Sequence, residues 1–246
     1  MALPKLTTPY YTMNLPSTGE EVKFRPFLVK EEKILLLAME SEDQQEMANA
    51  LEQIITNCTD GKIDVTTMPL FDVEYLFLQL RIKSVDTETK LSIRCENDVC
   101  PPLTIKLDLD KVKVSNLEKE QDFKIELTKD VGLMLKYPTL DMGKATVNTE
   151  EDQNKSSYMF EVIIDCIDSI YDEEQSYKAS ETPREEIADF LDALSSEQFQ
   201  KVVSFFERMP KLEHKTQITC PHCKRKNKIV LQGLQDFFES ASPTTV

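Results

Sequence analysis

The chain has 246 residues, of which 44 are acidic and 29 are basic, so its formal net charge at pH 7 is −15. This charge argues against binding to nucleic acid by the whole surface, because phosphate binding depends on clustered cations. The sequence has no apolar run near the roughly 20 residues that span a bilayer, and residues 1–8 lack the apolar core of a secretory signal. The five glycines form neither a P-loop nor a dinucleotide-binding fingerprint.

The N-terminal residues predict a β-hairpin followed by three amphipathic helices. Apolar residues alternate on both sides of a turn at residues 16–19, which is typical of a hairpin. Helical spacing follows after Pro26, again from Ser41, and again after Pro69. Because Ser41 stands three residues before Gln44, we expect a capping box to begin the second helix at Ser41. The three helices can bury a small core together.

Two roles are open for Arg25, which precedes the first helix in the segment Arg25-Pro26-Phe27. Its guanidinium either pairs with Glu31 or Glu32 inside the protein, or it contacts a partner.

Residues from about 84 to 138 are predicted to be rich in β-structure. They contain Cys95 and Cys100, spaced C-x4-C in a short turn between two strand-like segments. Further alternation of apolar residues over 123–137 predicts additional strands. The polar residues 148–157 are typical of a linker.

A helical block is predicted beyond this linker. Residues 158–171 have helical spacing, Thr182 is expected to cap a second helix, and Ser195 with Gln198 forms a capping box for a third. The third helix is expected to end at Met209-Pro210. Acidic residues near 165–174 are interpreted as a solvated face, with a divalent-ion site as the alternative.

The second cysteine pair, Cys220 and Cys223, has the spacing C-x2-C and again lies between strand-like segments. Two such turns facing each other supply the four sulfurs that a tetrahedral zinc ion binds at about 2.3 Å. We therefore predict one structural Zn ion held by Cys95, Cys100, Cys220 and Cys223. The alternative is two unrelated pairs of free thiols.

The other chemically active residue types do not suggest an active site. Cys58 and Cys166 lie among apolar residues and are interpreted as buried thiols. His222 lies between two ligand cysteines and is expected to face solvent, and His214 is expected at a strand edge. Since only two histidines are present and no nucleophile is paired with them, we expect a protein that is not an enzyme.

These elements predict an α+β fold in which amphipathic helices surround a split zinc-ribbon-like β element with a helical insertion. Because the six cysteines occur without a secretory signal, they are expected to be reduced, as in a cytoplasm. We call each cysteine-bearing turn with its flanking strands a knuckle. Four segments are predicted. An N-terminal hairpin and helical lobe occupy 1–83, and the first knuckle and a β-rich segment occupy 84–145. The helical insertion occupies 146–210, and the second knuckle with the C-terminal tail occupies 211–246.

Several segments of the chain together carry a family resemblance: residues 3–10, 15–19, 24–33, 69–81, 205–212, 220–223 and 233–238. They resemble the baseplate hub assembly protein family of T-even-type contractile-tailed bacteriophages. The resemblance covers nearly the whole chain, and its Arg25-Pro26-Phe27 part is fairly specific.

The resemblance implies a virus-encoded protein that is made in the cytoplasm of an infected bacterium, where it helps to assemble the central hub of the tail baseplate. It implies hub and tape-measure proteins as partners, with the virion baseplate as a further location. No catalytic residues follow from it, and neither a membrane nor nucleic acid is an expected partner.

Three functions compete at this point. The first is a chaperone-like assembly factor, suggested by the negative charge and by a C-terminal apolar pair, Phe237-Phe238, expected to be exposed. The second is a permanent structural subunit of the hub. The third is a nucleic-acid-binding zinc ribbon that uses the basic run at Lys224, Arg225, Lys226 and Lys228, which is otherwise interpreted as a solvated tip.

Overall fold

A computed structural model describes residues 7–41, 43–97, 99–117, 122–142 and 155–238. The fold is of the α+β class, as predicted: antiparallel strands form four small sheets, and helices pack against them. Residues 148–154 of the predicted linker lie outside the described residues, and residues 155–157 belong to a helix.

The N-terminal lobe begins with the predicted hairpin, in which β1 (Tyr11–Asn14) pairs with β2 (Glu21–Phe24). Helices α1 (Val29–Ser41), α2 (Gln44–Cys58) and α3 (Leu70–Ser84) follow. The predicted start of α2 at Ser41 is wrong, because Ser41 ends α1 and donates its hydroxyl to the Ala38 carbonyl at 2.8 Å. Asp43 caps α2 instead, since its Oδ1 accepts from the N–H of Gln45 at 2.7 Å.

Two β-hairpins form next to this lobe although they are far apart in sequence. In the first hairpin, β3 (Glu88–Ile93) pairs with β4 (Leu103–Asp108). A 3₁₀ turn (Leu109–Lys111) leads to the short strand β5 (Lys113–Ser115). In the second hairpin, β10 (Lys211–Thr219) pairs with β11 (Lys226–Gln232). The start of β10 also pairs with β5, which brings the returning chain back beside the first hairpin.

A second lobe lies in the chain between the two hairpins. Strands β6 (Lys124–Glu126), β7 (Gly132–Leu135), β8 (Ile167–Tyr171) and β9 (Ser176–Lys178) form one antiparallel sheet in that order. Its helices are α4 (Lys155–Asp165), α5 (Arg184–Asp192) and α6 (Ser196–Arg208), with a 3₁₀ turn at Ala179–Glu181. The predicted boundary at residue 145 therefore divides strands that share one sheet, and the insertion contains strands as well as helices.

The predicted continuous helix over 158–171 is wrong, because α4 ends at Asp165 and the chain continues as strand β8. Ile170 pairs with Leu133 of β7, so β7 gains a partner on its second edge. β-branched residues such as Ile167 and Ile170 pack well on a pleated surface. Strand pairing between distant segments therefore outweighs the helical spacing of the local sequence.

For the ends of α5 and α6, one prediction is confirmed and another is wrong. The capping box of Ser195 and Gln198 is present, and α6 ends at Arg208 just before Met209 as expected. Thr182 does not cap α5, because Pro183 occupies the cap position and the Thr182 hydroxyl donates to the Lys178 carbonyl at 2.9 Å. In the described ranges, no helix is both long and apolar enough to cross a bilayer.

Two apolar clusters correspond to the two lobes. The first joins the N-terminal hairpin and helices to both knuckle hairpins, and the second fills the space between the four-stranded sheet and α4–α6. The rings of Phe71 and Tyr137 lie 5.1 Å apart between the lobes. Phe237 belongs to the first cluster and is 0% exposed, so the expectation of an exposed apolar tail is wrong for this residue. It lies on the helical turn α7 (Gln235–Phe238), which packs on β3 and β11.

Candidate metal centre

The first hairpin presents two cysteines in the turn between β3 and β4. The N–H of Cys100 donates to the Asn97 carbonyl at 2.9 Å, which closes the turn. The N–H of Asn97 lies 3.5 Å from the sulfur of Cys95. Cys95 is buried and Cys100 is half-buried, so the pair lies at the inner side of the turn.

The second hairpin presents its cysteines in a tighter turn. The last pair of its ladder joins Thr219 to Lys226. The N–H of Cys220 donates to the Arg225 carbonyl at 2.8 Å, and the N–H of Lys224 donates to the Cys220 carbonyl at 2.9 Å. Lys224 adopts the left-handed conformation at φ 62°, which folds the chain back immediately after Cys223.

The two turns bring all four predicted cysteines together. The four Sγ atoms lie within 4.8 Å of one another, and those of Cys95 and Cys223 are 3.7 Å apart. A tetrahedral ion with bonds of about 2.3 Å to sulfur separates its ligands by about 3.8 Å. The four side chains are therefore close enough to hold one metal ion, and their donor set fits one.

A polar contact from Asn227 also joins the two hairpins. Its Oδ1 accepts from the N–H of Glu96 in the first hairpin at 2.9 Å, and its Nδ2 donates to the Arg225 carbonyl at 3.2 Å. Asn227 is 2% exposed, so both bonds lie in the interior beside the cysteines. Sequence reasoning missed this residue, although a polar side chain at an inward position of β11 was a signal that could have found it.

The pKa values of the two pairs of thiols are shifted differently by their surroundings. The N–H groups of Cys223 and His222 lower the pKa of Cys220, and that of Arg225 lowers the pKa of Cys223 to about 7. Burial raises the pKa of Cys100 to about 12. Because metal ligation needs thiolates, the second hairpin holds the thiols that lose protons more readily, and binding at the whole site strengthens as pH rises.

The side chains of the remaining sequence-predicted residues are not among these converging ligands. The His222 side chain, in the turn between Cys220 and Cys223, is exposed, and His214 lies on β10. In the acidic region, Asp165 accepts from Arg184, and Asp172 accepts from the N–H groups of Glu174 and Gln175. Across the described ranges, the four cysteines are the one group of three or more possible ligands whose donor atoms converge.

The two other cysteines are buried thiols, as predicted. Cys58 and Cys166 are both 0% exposed. Desolvation raises the pKa of Cys58 to about 11 and that of Cys166 to about 12. Both therefore stay protonated and unreactive at neutral pH.

Of the two roles open for Arg25, the structure shows the pairing inside the protein. Its Nη2 lies 2.9 Å from Oε1 of Glu31, whose side chain is fully buried. The same Nη2 donates to the Asn57 carbonyl at 3.1 Å. The Arg25 guanidinium therefore ties the start of α1 to the end of α2.

Comparison with known proteins gives a match at the level of a family. A family model described as "T4 bacteriophage base plate protein" matches residues 8–239, which is nearly the whole chain. No curated protein and no solved structure gives a match.

Proposed function

The chain belongs to the T4 bacteriophage base plate protein family, and from this membership we propose that it is a non-enzymatic assembly factor of the baseplate hub. In this role it binds hub or tape-measure subunits in the cytoplasm of the infected bacterium. The family match over residues 8–239 carries the proposal, since it places the protein among phage baseplate proteins.

The proposed metal is a single structural zinc ion. Soft thiolate ligands in a closed set of four favour zinc, and they leave no open position for a substrate. Such an ion joins two hairpins that the chain itself connects only through the second lobe.

An apolar surface on α1 supports partner binding. Five apolar side chains at the start and along the outer side of this helix are each more than 40% exposed, although the opposite side packs on α2. Exposed apolar patches of this kind mark protein–protein contacts. The residues of this α1 surface are Leu28, Val29, Leu36, Leu37 and Met39.

The second candidate is a permanent structural subunit of the baseplate hub, which is equally compatible with the family description. The two functions differ in where the protein is found after assembly. An assembly factor binds a hub or tape-measure protein in infected cells and is missing or sparse in finished particles, whereas a structural subunit is present at a fixed ratio.

The experiment captures the tagged protein from infected cells, identifies its partners by peptide mass spectrometry, and quantifies the protein in purified virions. We expect hub or tape-measure peptides in the capture and a strong depletion in virions. The variant Leu36→Ser with Leu37→Ser should lose the partner, whereas a control with Val85→Ser and Val230→Ser, also exposed, should keep it. A fixed stoichiometric amount in virions would contradict the assembly-factor proposal.

A further inference from the structure

The outward side of the second hairpin carries a cluster of cations that we call the basic face. It consists of Lys224, Arg225, Lys226 and Lys228, and all four side chains are exposed. Lys226 and Lys228 lie on the same side of β11, about 7 Å apart, because successive side chains of a strand point to opposite faces. Asn227 and Ile229 point inward accordingly.

The cations of the basic face have no ion-pair partner among the described residues. Several other surface cations are paired, namely Lys106 with Glu88, Lys178 with Glu181, and Lys215 with Glu213. Residues 211–232 contain six basic residues and one acidic residue, although the whole chain has a net charge of −15. The basic face is therefore a local concentration of unpaired positive charge on an acidic protein.

The second lobe carries the opposite charge. Residues 165–197 contain eleven acidic residues and two basic ones. On α5, Glu185, Asp189 and Asp192 are exposed and follow one another at i, i+4 and i+7, so they form a row along one side of the helix. We call these three residues the acidic row; in the described part of the chain, none of them has an ion-pair partner. Neighbouring residues of the row are about 4.5–6 Å apart along the helix axis.

We propose that the basic face docks on the acidic row of a second copy of this chain. The two surfaces have opposite charge and similar spacing, and within the described residues no ion pair joins them in one molecule. Because each copy carries one surface of each kind, the contact is head-to-tail and can repeat from copy to copy. This inference is independent of the proposed assembly role, since it concerns self-association alone.

Two other interpretations of the basic face fit the sequence and the structure less well. Binding of single-stranded nucleic acid combines cations with aromatic side chains for base stacking, and residues 211–232 contain no Phe, Tyr or Trp. Cations can also stabilise nearby thiolates, but Lys226 and Lys228 point outward from the strand rather than toward the sulfurs. Exposed ion pairs are individually weak and are screened by salt, so the self-association is weak and sensitive to ionic strength.

Sedimentation equilibrium of the full chain, loaded with metal, tests the proposal. At about 50 mM salt, where screening is moderate, the average mass should rise with protein concentration and pass beyond that of a dimer. At about 500 mM salt it should return to that of a monomer. A mass that stays monomeric at both salt concentrations would overturn the proposal.

Charge reversal makes the test specific for the two surfaces. Lys226→Glu with Lys228→Glu should lower the association constant at least about tenfold, and Glu185→Lys with Asp189→Lys should do the same. A mixture of the two variants should associate again, because each reversed surface then meets its complement. A matched control with Lys62→Glu and Lys129→Glu, two exposed lysines elsewhere, should associate like the wild type.

Three outcomes would reject this docking mode. The mixture could stay monomeric, the Lys226/Lys228 variant could lose its metal, or the wild type could retain short single-stranded DNA that this variant does not. The second outcome would assign the cations to the thiolates, and the third would assign them to nucleic acid.

Discussion

Glu31 is a fully buried carboxylate at the start of α1, and its partners are arranged around it. Oε1 lies 2.9 Å from Nη2 of Arg25 and 3.2 Å from Nζ of Lys30, while Oε2 accepts from the N–H of Leu28 at 2.9 Å. Removing one member of a buried ion pair leaves the other charge without compensation, which is strongly destabilising.

We expect Glu31→Ala to lower the free energy of unfolding by about 3–5 kcal/mol, because the Arg25 guanidinium loses its anion in the interior. The exposed neighbour Glu32 provides the control, and Glu32→Ala should change stability by less than about 0.5 kcal/mol. Urea denaturation measures both. A double variant, Arg25→Met with Glu31→Leu, should be less destabilised than the sum of its single changes; additive effects would refute the ion pair.

Glu74 on α3 makes folding stability depend on pH. Burial raises its pKa to about 7, against the opposing effect of the N–H of Leu234, which donates to Oε1 at 3.3 Å. An unfolded glutamate has a pKa of about 4.3. Between these values the folded state binds more protons than the unfolded state, so stability falls as pH rises from about 4 to about 7 and is constant above.

The variant Glu74→Gln removes this titration and keeps an acceptor for the Leu234 N–H. We expect it to be more stable than the wild type by roughly 1–3 kcal/mol at pH 8 and nearly equal to it at pH 4. Thermal unfolding at both pH values measures the difference, with Glu20→Gln as an exposed control. A stability difference that is equal at pH 4 and pH 8 would show that the carboxylate is not buried.

At the scale of elements, the two knuckle hairpins depend on each other. The first is a two-stranded ladder, and the second gains β5 as a third strand only at the start of β10. Such small sheets are marginal alone, and the two hairpins meet at the cysteines and through Asn227. An ion held by the four thiolates would couple their stabilities, since losing one ligand would weaken the hold on both turns.

We expect Cys220→Ser to increase the hydrogen exchange of β3–β4 and of β10–β11 together, even though only the second hairpin is altered. Backbone amide exchange resolved by mass spectrometry measures the exchange rate of each hairpin directly. Cys166→Ala is the matched control, because this buried thiol lies in the other lobe and should leave both hairpins protected. Faster exchange confined to β10–β11 would mean that the hairpins share no ion.

Elements defined by local patterns could be predicted from the sequence. The N-terminal hairpin, both knuckle hairpins and the start of α6 depend on alternation, turn residues and a capping box, all of which act over a few residues. The start of α2 was misplaced because serine and aspartate both cap helices, and Ser41 used its hydroxyl inside α1. Strand β8 was missed because its pairing partner, β7, lies more than 30 residues away.

The same contrast between local patterns and contacts with distant segments applies to the candidate site. The four cysteines could be named from their spacing, since ligand type and turn geometry are local. The contact of Asn227 with Glu96 and the burial of Phe237 could not, because each depends on which surface of a distant segment the side chain meets. The charge asymmetry between residues 211–232 and 165–197 is visible in the sequence, but only the fold shows that the basic face and the acidic row lack ion pairs among the described residues.

At the scale of the whole molecule, the chain consists of two cores in contact, with the second lobe inserted between the hairpins that complete the first. The lobes touch through Phe71 and Tyr137 and through the N–H of Leu70, which donates to the Pro138 carbonyl at 2.8 Å. An ion held by the cysteines of both hairpins would close the chain on both sides of this insertion. Closing a long loop restricts the unfolded chain, which favours the folded state.

Native mass spectrometry of the purified full chain tests the central claim, that one zinc ion joins the two hairpins. We predict a single zinc per chain in the wild type, loss of that zinc in Cys95→Ser with Cys100→Ser, and the same loss in Cys220→Ser with Cys223→Ser. The control Cys58→Ala should keep it. A wild type without zinc, or a zinc that survives removal of either cysteine pair, would contradict the account.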